Sequence, residues 1–337
     1  MKNKKKYQGC LIGGAVGDTL GYAVEFMKEK EIFSKFGKDG ITEYELVKGK
    51  AIISDDTQMT LFTANGLLLA NENHDYIKCI AQCYRNWLYT QMRDYAENDY
   101  EIVSWLMDIP ELYVPRAPGN TCISAIMKGC NGTIENPINN SKGCGGVMRV
   151  APVGLFFDNH EYPVNKIDRL GAEVSALTHG HELSHLSSAF FVHVITLISH
   201  NADITLMDAI QNAKDTVIQL FSDMPSVSYF VSLIDKAIFL SQQTDIENLT
   251  ALHQIGEGWV AEETIAIAVY CALKYQNNFE KAIIVSVNHN GDSDSTGAVT
   301  GNILGAYLGI DAIPEKFLDN LELKDIILKM ADDLYNS

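Results

Sequence analysis

Apolar residues recur at helical spacing along much of the chain. Gaps of three and four residues place such side chains on one face of an α-helix. Alternating apolar and polar positions, which are typical of strands, are scarce, and residues 41–53 are the only plausible hairpin. The pattern predicts an all-α fold, a single multi-helix domain over residues 1–337. The three clearest stripes are Leu186, Ala189, Phe190, His193, Val194 and Leu197; Ile210, Ala213, Val217, Leu220 and Phe221; and Ile265, Ala268, Val269, Ala272 and Leu273.

Glycines are concentrated near the two ends of the chain. Near the C-terminus a glycine stands at every fourth position, which is one face of a helix. Glycine costs about 1 kcal/mol in a helix interior relative to alanine, so this pattern indicates two closely packed backbones. We therefore expect the two ends of the chain to meet. The glycines are Gly9, Gly13, Gly14, Gly17 and Gly21 at one end and Gly297, Gly301, Gly305 and Gly309 at the other.

Two acidic clusters carry the candidate chemistry. They are Ser54–Thr57 and Asp292–Thr296, and each combines two aspartates with several hydroxyls. Burying adjacent carboxylates is costly unless positive charge compensates for it, and oxygen ligands of this kind suit Mg²⁺ or Mn²⁺. The alternative is that each cluster caps a helix, since Asp and Ser accept bonds from free backbone N–H groups. The two roles are compatible, and two such clusters in one chain favour a metal site.

Charge and cysteine content limit the partners. The net charge of −17 argues against binding to nucleic acid or to an anionic membrane surface. Seven cysteines without a CxxC pair fit reduced thiols and a cytoplasmic location. No apolar run approaches the length of a membrane span. A phosphate-bearing ligand is still compatible with the charge if metal ions and backbone N–H groups supply the positive field.

Several short motifs occur together in one order, and together they resemble the ADP-ribosylglycohydrolase family, which includes dinitrogenase-reductase-activating glycohydrolase and arginine-specific ADP-ribosyl hydrolases. The resemblance implies an orthogonal all-helical bundle. It also implies a hydrolase that cleaves the N-glycosidic bond of ADP-ribosylated protein side chains, with arginine as the expected side chain, and releases ADP-ribose. The matching segments are Gly13–Gly21 with Glu25, Ser54–Thr57, Gly119–Thr121, Gly143–Pro152, Thr178 with His179, and Gly291–Gly297.

The resemblance further implies a centre of two Mg²⁺ or Mn²⁺ ions that hold ribose hydroxyls and a reactive water. Glu25, Asp55 and Asp294 are the expected catalytic residues, with Glu25 as a base or a substrate-positioning carboxylate. The expected metal ligands are Ser54, Asp55, Asp56, Asp292, Asp294 and Ser295. The expected substrate-binding residues are Glu25, Asn120, Gly143, Cys144, Gly145, Gly146, His179, Trp259 and Glu262.

Secondary expectations accompany this assignment. A helix starting near Val147 would direct its positive end at a pyrophosphate held by the Gly143–Gly146 turn. Cys144 is expected to be a small buried thiol, and Arg149 to meet an internal carboxylate. Asp18 is expected to brace or cap a helix rather than to bind metal. For Glu262, a place in the first turn of a helix competes with contact to a substrate guanidinium.

Rival hypotheses stay open at this point. The enzyme could act on a serine or O-acetyl linkage of ADP-ribose, or the chain could be a non-catalytic ADP-ribose binder or structural homologue. A third hypothesis is a zinc peptidase, because residues 181–185 read His-Glu-Leu-Ser-His. On a helix that spacing would place two imidazoles one turn apart with a glutamate as base.

Overall fold

Helices form the framework of the protein, as the hydrophobic pattern predicts. The computed structural model describes residues 2–71, 74–95 and 101–337, and this part of the chain contains no β-sheet. The predicted hairpin at 41–53 contains only isolated bridges, one between Val47 and Lys50 and one from Ala51 to Leu321. The helices are α1 (Lys4–Tyr22), α2 (Glu29–Phe36), α3 (Asp55–Leu69), α4 (Tyr76–Met92), α5 (Asn120–Met127), α6 (Ala151–Phe156), α7 (Val164–Ala176), α8 (Glu182–His200), α9 (Leu206–Leu220), α10 (Val227–Ser241), α11 (Asn248–Ile255), α12 (Ala261–Lys274), α13 (Phe279–Val287), α14 (Ser293–Leu308), α15 (Glu315–Leu318) and α16 (Lys324–Asn336).

The glycine-rich helices α1 and α14 pack antiparallel against each other, and this contact joins the ends of the chain. A Cβ added at Gly13 would lie 2.3 Å from the carbonyl oxygen of Gly301. A Cβ added at Gly17 would lie 1.9 Å from that of Gly297. No side chain fits at such distances, so glycine is required for the backbones to meet. The expected close approach is confirmed.

Helix α1 also fixes the start of α3 through Asp18. The Asp18 carboxylate accepts hydrogen bonds from the backbone N–H groups of Ser54 and Thr57 and from the Thr57 hydroxyl. These N–H groups belong to the first turn of α3, where they have no helical partner and where the helix dipole favours negative charge. The prediction that Asp18 braces a helix is confirmed.

Both acidic clusters cap helices, as the capping interpretation predicts. The Ser54 Oγ accepts from the Asp56 N–H at 3.2 Å at the start of α3. The Asp292 Oδ1 accepts from the Ser295 N–H at 3.3 Å at the start of α14. Since α1 contacts both helix starts, the two clusters are brought to one place.

Helix α8 runs through the core and carries the first apolar stripe. It is long and apolar enough to cross a membrane by composition, and 94% of its most apolar window is buried in the protein. The expectation that no segment reaches this length was therefore wrong. Serine and histidine side chains interrupt the apolar stripe, but the mean hydropathy of the helix stays as high as that of a membrane span. His193, which lies on this stripe, is a buried core histidine between the Asp168 carboxylate and the Asn212 amide oxygen, at 2.8 Å from each.

Substituting alanine at Gly13 tests the importance of the α1–α14 contact. The added methyl group must push two backbones apart, and overpacking of this kind costs about 1–3 kcal/mol, so we expect a loss near the upper end of that range in the free energy of unfolding. Urea denaturation followed by circular dichroism measures it. Gly119→Ala is the matched control, because its Cβ would meet only the Cys122 Sγ, at 3.9 Å. Equal stability of the two variants would contradict a tight glycine contact.

Candidate functional site

A pocket of about 490 Å³ opens where the starts of α3 and α14 meet the end of α1. Its volume lies within the range of small-molecule sites. One wall is acidic, and its carboxylates are supplied by residues that lie far apart in the sequence. These are Glu25 just after α1, Asp55 and Asp56 on α3, and Asp292 and Asp294 at the start of α14.

The carboxylates of this wall are only partly satisfied by the protein. Asp55 Oδ2 accepts from the Gly119 N–H at 3.2 Å, and Asp294 Oδ1 accepts from the Ser295 N–H at 2.9 Å. The Asp56 Oδ2 and Glu25 Oε2 atoms are buried and have no hydrogen-bond partner. Buried oxygens without a donor are costly, so a bound group that supplies positive charge would stabilise the site.

Burial and the repulsion of neighbouring charges make Glu25, Asp55, Asp56 and Asp294 weak acids. Burial, followed by the charges of Asp292 and Asp55, raises the pKa of Glu25 to about 9. Burial likewise raises the pKa of Asp55 to about 8, and it raises the pKa values of Asp56 and Asp294 well above those of ordinary aspartates. Without a compensating cation these four carboxyl groups therefore favour the protonated form at neutral pH.

The donor chemistry of the wall fits a hard divalent cation. Its oxygen ligands match Mg²⁺ or Mn²⁺, and the two orphaned oxygens are available to coordinate. As they stand, no three His, Cys, Asp or Glu side chains in residues 2–71, 74–95 and 101–337 are arranged to hold an ion. Metal binding would thus require carboxylates to turn toward a common point.

The two predicted hydroxyl ligands differ in position. Ser295 lines the pocket beside Asp292 and Asp294. Ser54 is fully buried beneath it, where its Oγ serves as the cap of α3. The geometry therefore brings Ser295 to the acidic wall and gives Ser54 a capping role.

The opposite wall carries a glycine turn. Gly143, Cys144 and Gly145 line it together with His179 and Asn120. The expected helix at Val147 is wrong: residues Cys144–Gly146 form a single 3-10 turn, and α6 begins only at Ala151. The carbonyl of Cys144 accepts hydrogen bonds from the N–H groups of both Val147 and Met148, which closes a tight turn, and no α-helix starts there.

Gly146 was predicted to bind substrate, but it has a packing role. It does not line the pocket, and a Cβ there would lie 2.1 Å from the Ser184 Oγ and 2.6 Å from the Ser175 Oγ. Glycine at this position lets the turn lie against α7 and α8.

Cys144 differs from the expected buried thiol. It is partly exposed at the pocket, and its Sγ donates to Asp292 Oδ2 at 2.7 Å. Burial, followed by the neighbouring Asp292 and Asp56 charges, raises the pKa of this thiol well above the usual value. A protonated thiol is a poor nucleophile, so the hydrogen bond serves to orient the Asp292 carboxylate.

Two aromatic side chains stand at the rim of the pocket. Trp259, a predicted substrate contact, is 41% exposed and is held beside the glycine turn by the bond from the Cys144 N–H to its carbonyl. Phe26 is 72% exposed and was missed by sequence reasoning. Its position directly after Glu25 was the available signal, since a large apolar side chain next to a functional carboxylate offers a stacking surface.

Glu262 was predicted to bind substrate, and the structure contradicts that assignment. Its side chain is fully buried and pairs with the Lys142 ammonium outside the pocket. The Glu263 carboxylate accepts from the Glu257 and Gly258 N–H groups and so shapes the loop before α12. The first turn of α12 thus uses its carboxylates structurally, which was the competing interpretation.

The expected pairing of Arg149 with an internal carboxylate is also wrong. Its guanidinium is fully buried and donates to the Thr178 hydroxyl and to the sulfur atoms of Met59 and Cys122. It stacks on Tyr84 at 4.4 Å from the ring centroid, which stabilises a cation in place of a carboxylate.

The structure overturns the zinc-peptidase hypothesis. His181 lies before α8, and its Nδ1 accepts from the Leu183 N–H as a helix cap. His185 Nε2 bonds to the carbonyl of His179 at 2.8 Å, and the Glu182 carboxylate accepts from the Ser226 N–H. All three side chains make hydrogen bonds to the backbone, and they do not form a metal site.

Comparison with known proteins places these features in a family. A family model described as ADP-ribosylglycohydrolase matches residues 1–337. The ADP-ribosyl-[dinitrogen reductase] glycohydrolase of Rhodospirillum rubrum is 26% identical over 94% of this chain and 90% of its own. The ADP-ribosylhydrolase ARH3 of Gallus gallus is 25% identical over 98% and 92%. A solved structure titled "ADP-ribosylglycohydrolase-related protein complex" shares the fold, with a TM-score of 0.63 at 21% identity over 99% of this chain and 98% of that one.

The raised pKa values predict how pH affects the metal-free protein. The folded-state pKa values of Glu25 and Asp55 are about 9 and about 8, and they exceed the pKa values of the same groups in the unfolded chain. At any pH between the unfolded-state and the folded-state values, the folded protein therefore binds more protons than the unfolded chain. The free energy of unfolding should therefore fall as pH rises from about 5 to about 9. Thermal melts in EDTA measure this, and Asp55→Asn should flatten the slope.

The exposed Asp223→Asn is the matched control and should keep the wild-type slope. Added Mn²⁺ should restore stability at pH 8 in wild type, because a ligand that binds only the folded state stabilises it. A melting temperature that rises with pH in EDTA would contradict the assignment of buried, uncompensated carboxyls.

Proposed function

The chain belongs to the ADP-ribosylglycohydrolase family, and we propose that it is a metal-dependent hydrolase that removes ADP-ribose from arginine side chains of modified proteins. Family membership makes it a hydrolase of ADP-ribose linkages. The arginine linkage, the cation and a cytoplasmic location are the proposed refinements. The acidic wall carries the proposal, because five carboxylates meet there with two orphaned oxygens.

The pocket suits the two parts of ADP-ribose. The acidic wall would hold Mg²⁺ or Mn²⁺ through Asp55, Asp56, Asp292, Asp294 and Ser295. When bound, such cations orient ribose hydroxyls and make a coordinated water more acidic. On the opposite wall, the Gly145 N–H and the His179 ring would donate to the pyrophosphate.

The protein's own groups account for the bond cleavage. Glycoside hydrolysis passes through an oxocarbenium-like state, which carboxylates near the anomeric carbon stabilise. Glu25 is buried next to Asp55 and Asp292, and it would become ionised once cations offset their charges. We assign it to orient the attacking water and to accept its proton. The bond from the anomeric carbon to the guanidinium nitrogen then breaks, and its electron pair leaves with the arginine as a neutral guanidine, while the ring of Phe26 or Trp259 shields the bond from bulk solvent.

Charge favours arginine as the leaving group. An ADP-ribosylated guanidine is cationic, and the pocket lies in a protein with a net charge of −17. The leaving group of serine-linked or O-acetyl ADP-ribose is neutral, so it gains nothing from this field.

A hydrolysis panel tests the function. Purified protein with Mg²⁺ should release ADP-ribose from an ADP-ribosylated arginine protein faster than from serine-linked or O-acetyl substrates. Asp55→Asn and Asp294→Asn should each lower kcat/KM by about 100-fold or more, since each removes a charge that acts on the transition state. Asp223→Asn should leave it unchanged.

The outcomes separate the hypotheses. Faster turnover of a serine-linked or O-acetyl substrate would overturn the arginine assignment and keep the hydrolase. No turnover of any substrate, together with tight ADP-ribose binding in the presence of Mn²⁺, would establish a non-catalytic binder. EDTA-resistant turnover would contradict the role of the cation.

A further inference from the structure

Arg149 is a fully buried guanidinium, and among the described residues its hydrogen bonds go to no carboxylate. Its Nη1 donates to the Met59 and Cys122 sulfur atoms at 3.4 Å, and its Nη2 donates to Thr178 Oγ1 at 2.5 Å. Sulfur is a weak acceptor, so the hydroxyl is its strongest hydrogen-bond partner. A charge kept in the core on such terms is costly for stability, which points to a role beyond packing.

Thr178 connects this guanidinium to the pocket. Its Oγ1 lies 2.8 Å from His179 Nδ1, and Thr178 is fully buried. Arg149 can only donate, so it occupies a lone pair of Oγ1. If Nδ1 also donated to Oγ1, the hydroxyl proton would have no acceptor within the described structure. The hydroxyl must therefore donate to Nδ1, and His179 carries its proton on Nε2.

The Nε2 atom of His179 lies against the glycine turn, on the wall of the pocket opposite the carboxylates. A Cβ added at Gly143 or at Gly145 would lie 3.4 Å from it, so the ring covers this turn. His179 is 1% exposed, and in the described part of the chain its ring bonds through Nδ1, to Thr178, which leaves Nε2 without an acceptor. Its backbone is also fixed, because its N–H donates to the Ser175 carbonyl and its carbonyl accepts from His185.

The same contacts keep the ring neutral. Burial, followed by the nearby Arg149 charge, lowers the pKa of His179 well below its usual value. The turn that the His179 ring covers also contains Gly145, whose N–H group has no acceptor among the described residues. The two N–H groups therefore form a pair of neutral donors at one end of the pocket.

We infer that Arg149 is a positioning residue: through the Thr178 hydroxyl it holds His179 as a neutral imidazole with its Nε2–H directed at a ligand oxygen. A phosphoryl oxygen of ADP-ribose is the acceptor that this arrangement fits, since it accepts from neutral donors and the imidazole has no proton to lose at neutral pH. This part of the inference rests on the proposed function. The tautomer itself does not, because it is set in the ligand-free protein.

The tautomer is measured by ¹⁵N NMR of histidine-labelled, full-length protein without ligand, with the His179 signal assigned by its loss in His179→Gln. Wild type and Thr178→Ser should show a single tautomer protonated on Nε2. Thr178→Val removes the donor to Nδ1 and should give a mixture of tautomers. Thr196→Val removes another buried hydroxyl, whose one bond in the described part of the chain goes to the Val192 carbonyl, and should leave His179 unchanged.

Calorimetry with ADP-ribose and Mn²⁺ tests the consequence. Thr178→Val should raise the Kd about tenfold, which is the effect of weakening one hydrogen bond to an ionised group. Thr178→Ser and Thr196→Val should bind like wild type. Arg149→Met should fold, since it removes an uncompensated charge and keeps the contact with sulfur atoms, and it should also give mixed tautomers with weakened binding.

The results separate two failures. A wild-type His179 protonated on Nδ1, or on both nitrogens, would overturn the inference whatever the ligand. A pure Nε2 tautomer in a protein that does not bind ADP-ribose would leave the positioning intact and contradict the proposed function. A Thr178→Val variant that loses stability while its tautomer and Kd stay unchanged would reduce the threonine to a structural role.

Discussion

The direct backbone contact between α1 and α14 is the constraint on which the rest of the structure depends. Glycine faces glycine along this contact, and a Cβ at Gly17 would meet a carbonyl at 1.9 Å. At the end of the same contact, Gly21 lies against Ser293, the first residue of α14. The start of α14 is thereby fixed next to α1, and Asp18 of α1 fixes the start of α3. A packing requirement in the sequence becomes the geometry of a site.

That geometry creates an electrostatic problem in the same place. Two helix starts each carry a pair of aspartates, and Glu25 adds a fifth carboxylate. Helix dipoles and N–H caps offset part of the repulsion, since a helix N-terminus favours negative charge. They leave Asp56 Oδ2 and Glu25 Oε2 without partners. The proposed cations would resolve this imbalance. On the opposite wall, the neutral His179 ring is held through Thr178 by the Arg149 charge, which is buried outside the pocket.

The sequence was informative wherever one residue type has few uses. Glycine at every fourth position predicted the close helices, and paired aspartates next to hydroxyls predicted the acidic wall. Helical stripes predicted α8, α9 and α12. Side-chain direction was harder, because position in sequence does not fix what a side chain contacts. Glu262 turns to Lys142, and Gly146 fills a packing space.

Other features could not be predicted because they depend on contacts between distant segments. Among the described residues the guanidinium of Arg149 has no carboxylate partner. It stacks on Tyr84 and donates to Thr178 instead, and no local sequence motif predicts these contacts. The His-Glu-Leu-Ser-His segment matched a zinc motif in letters, but its first histidine lies before the helix and caps it. Phe26 became a site residue only when the end of α1 met the other helix starts.

The central claim is that the acidic wall holds divalent cations, and anomalous diffraction from crystals grown with Mn²⁺ tests it most directly. The account predicts two anomalous peaks between the Asp55 and Asp56 side chains on one side and those of Asp292 and Asp294 on the other. Density at that position with no anomalous signal, or manganese bound only elsewhere on the protein, would contradict it.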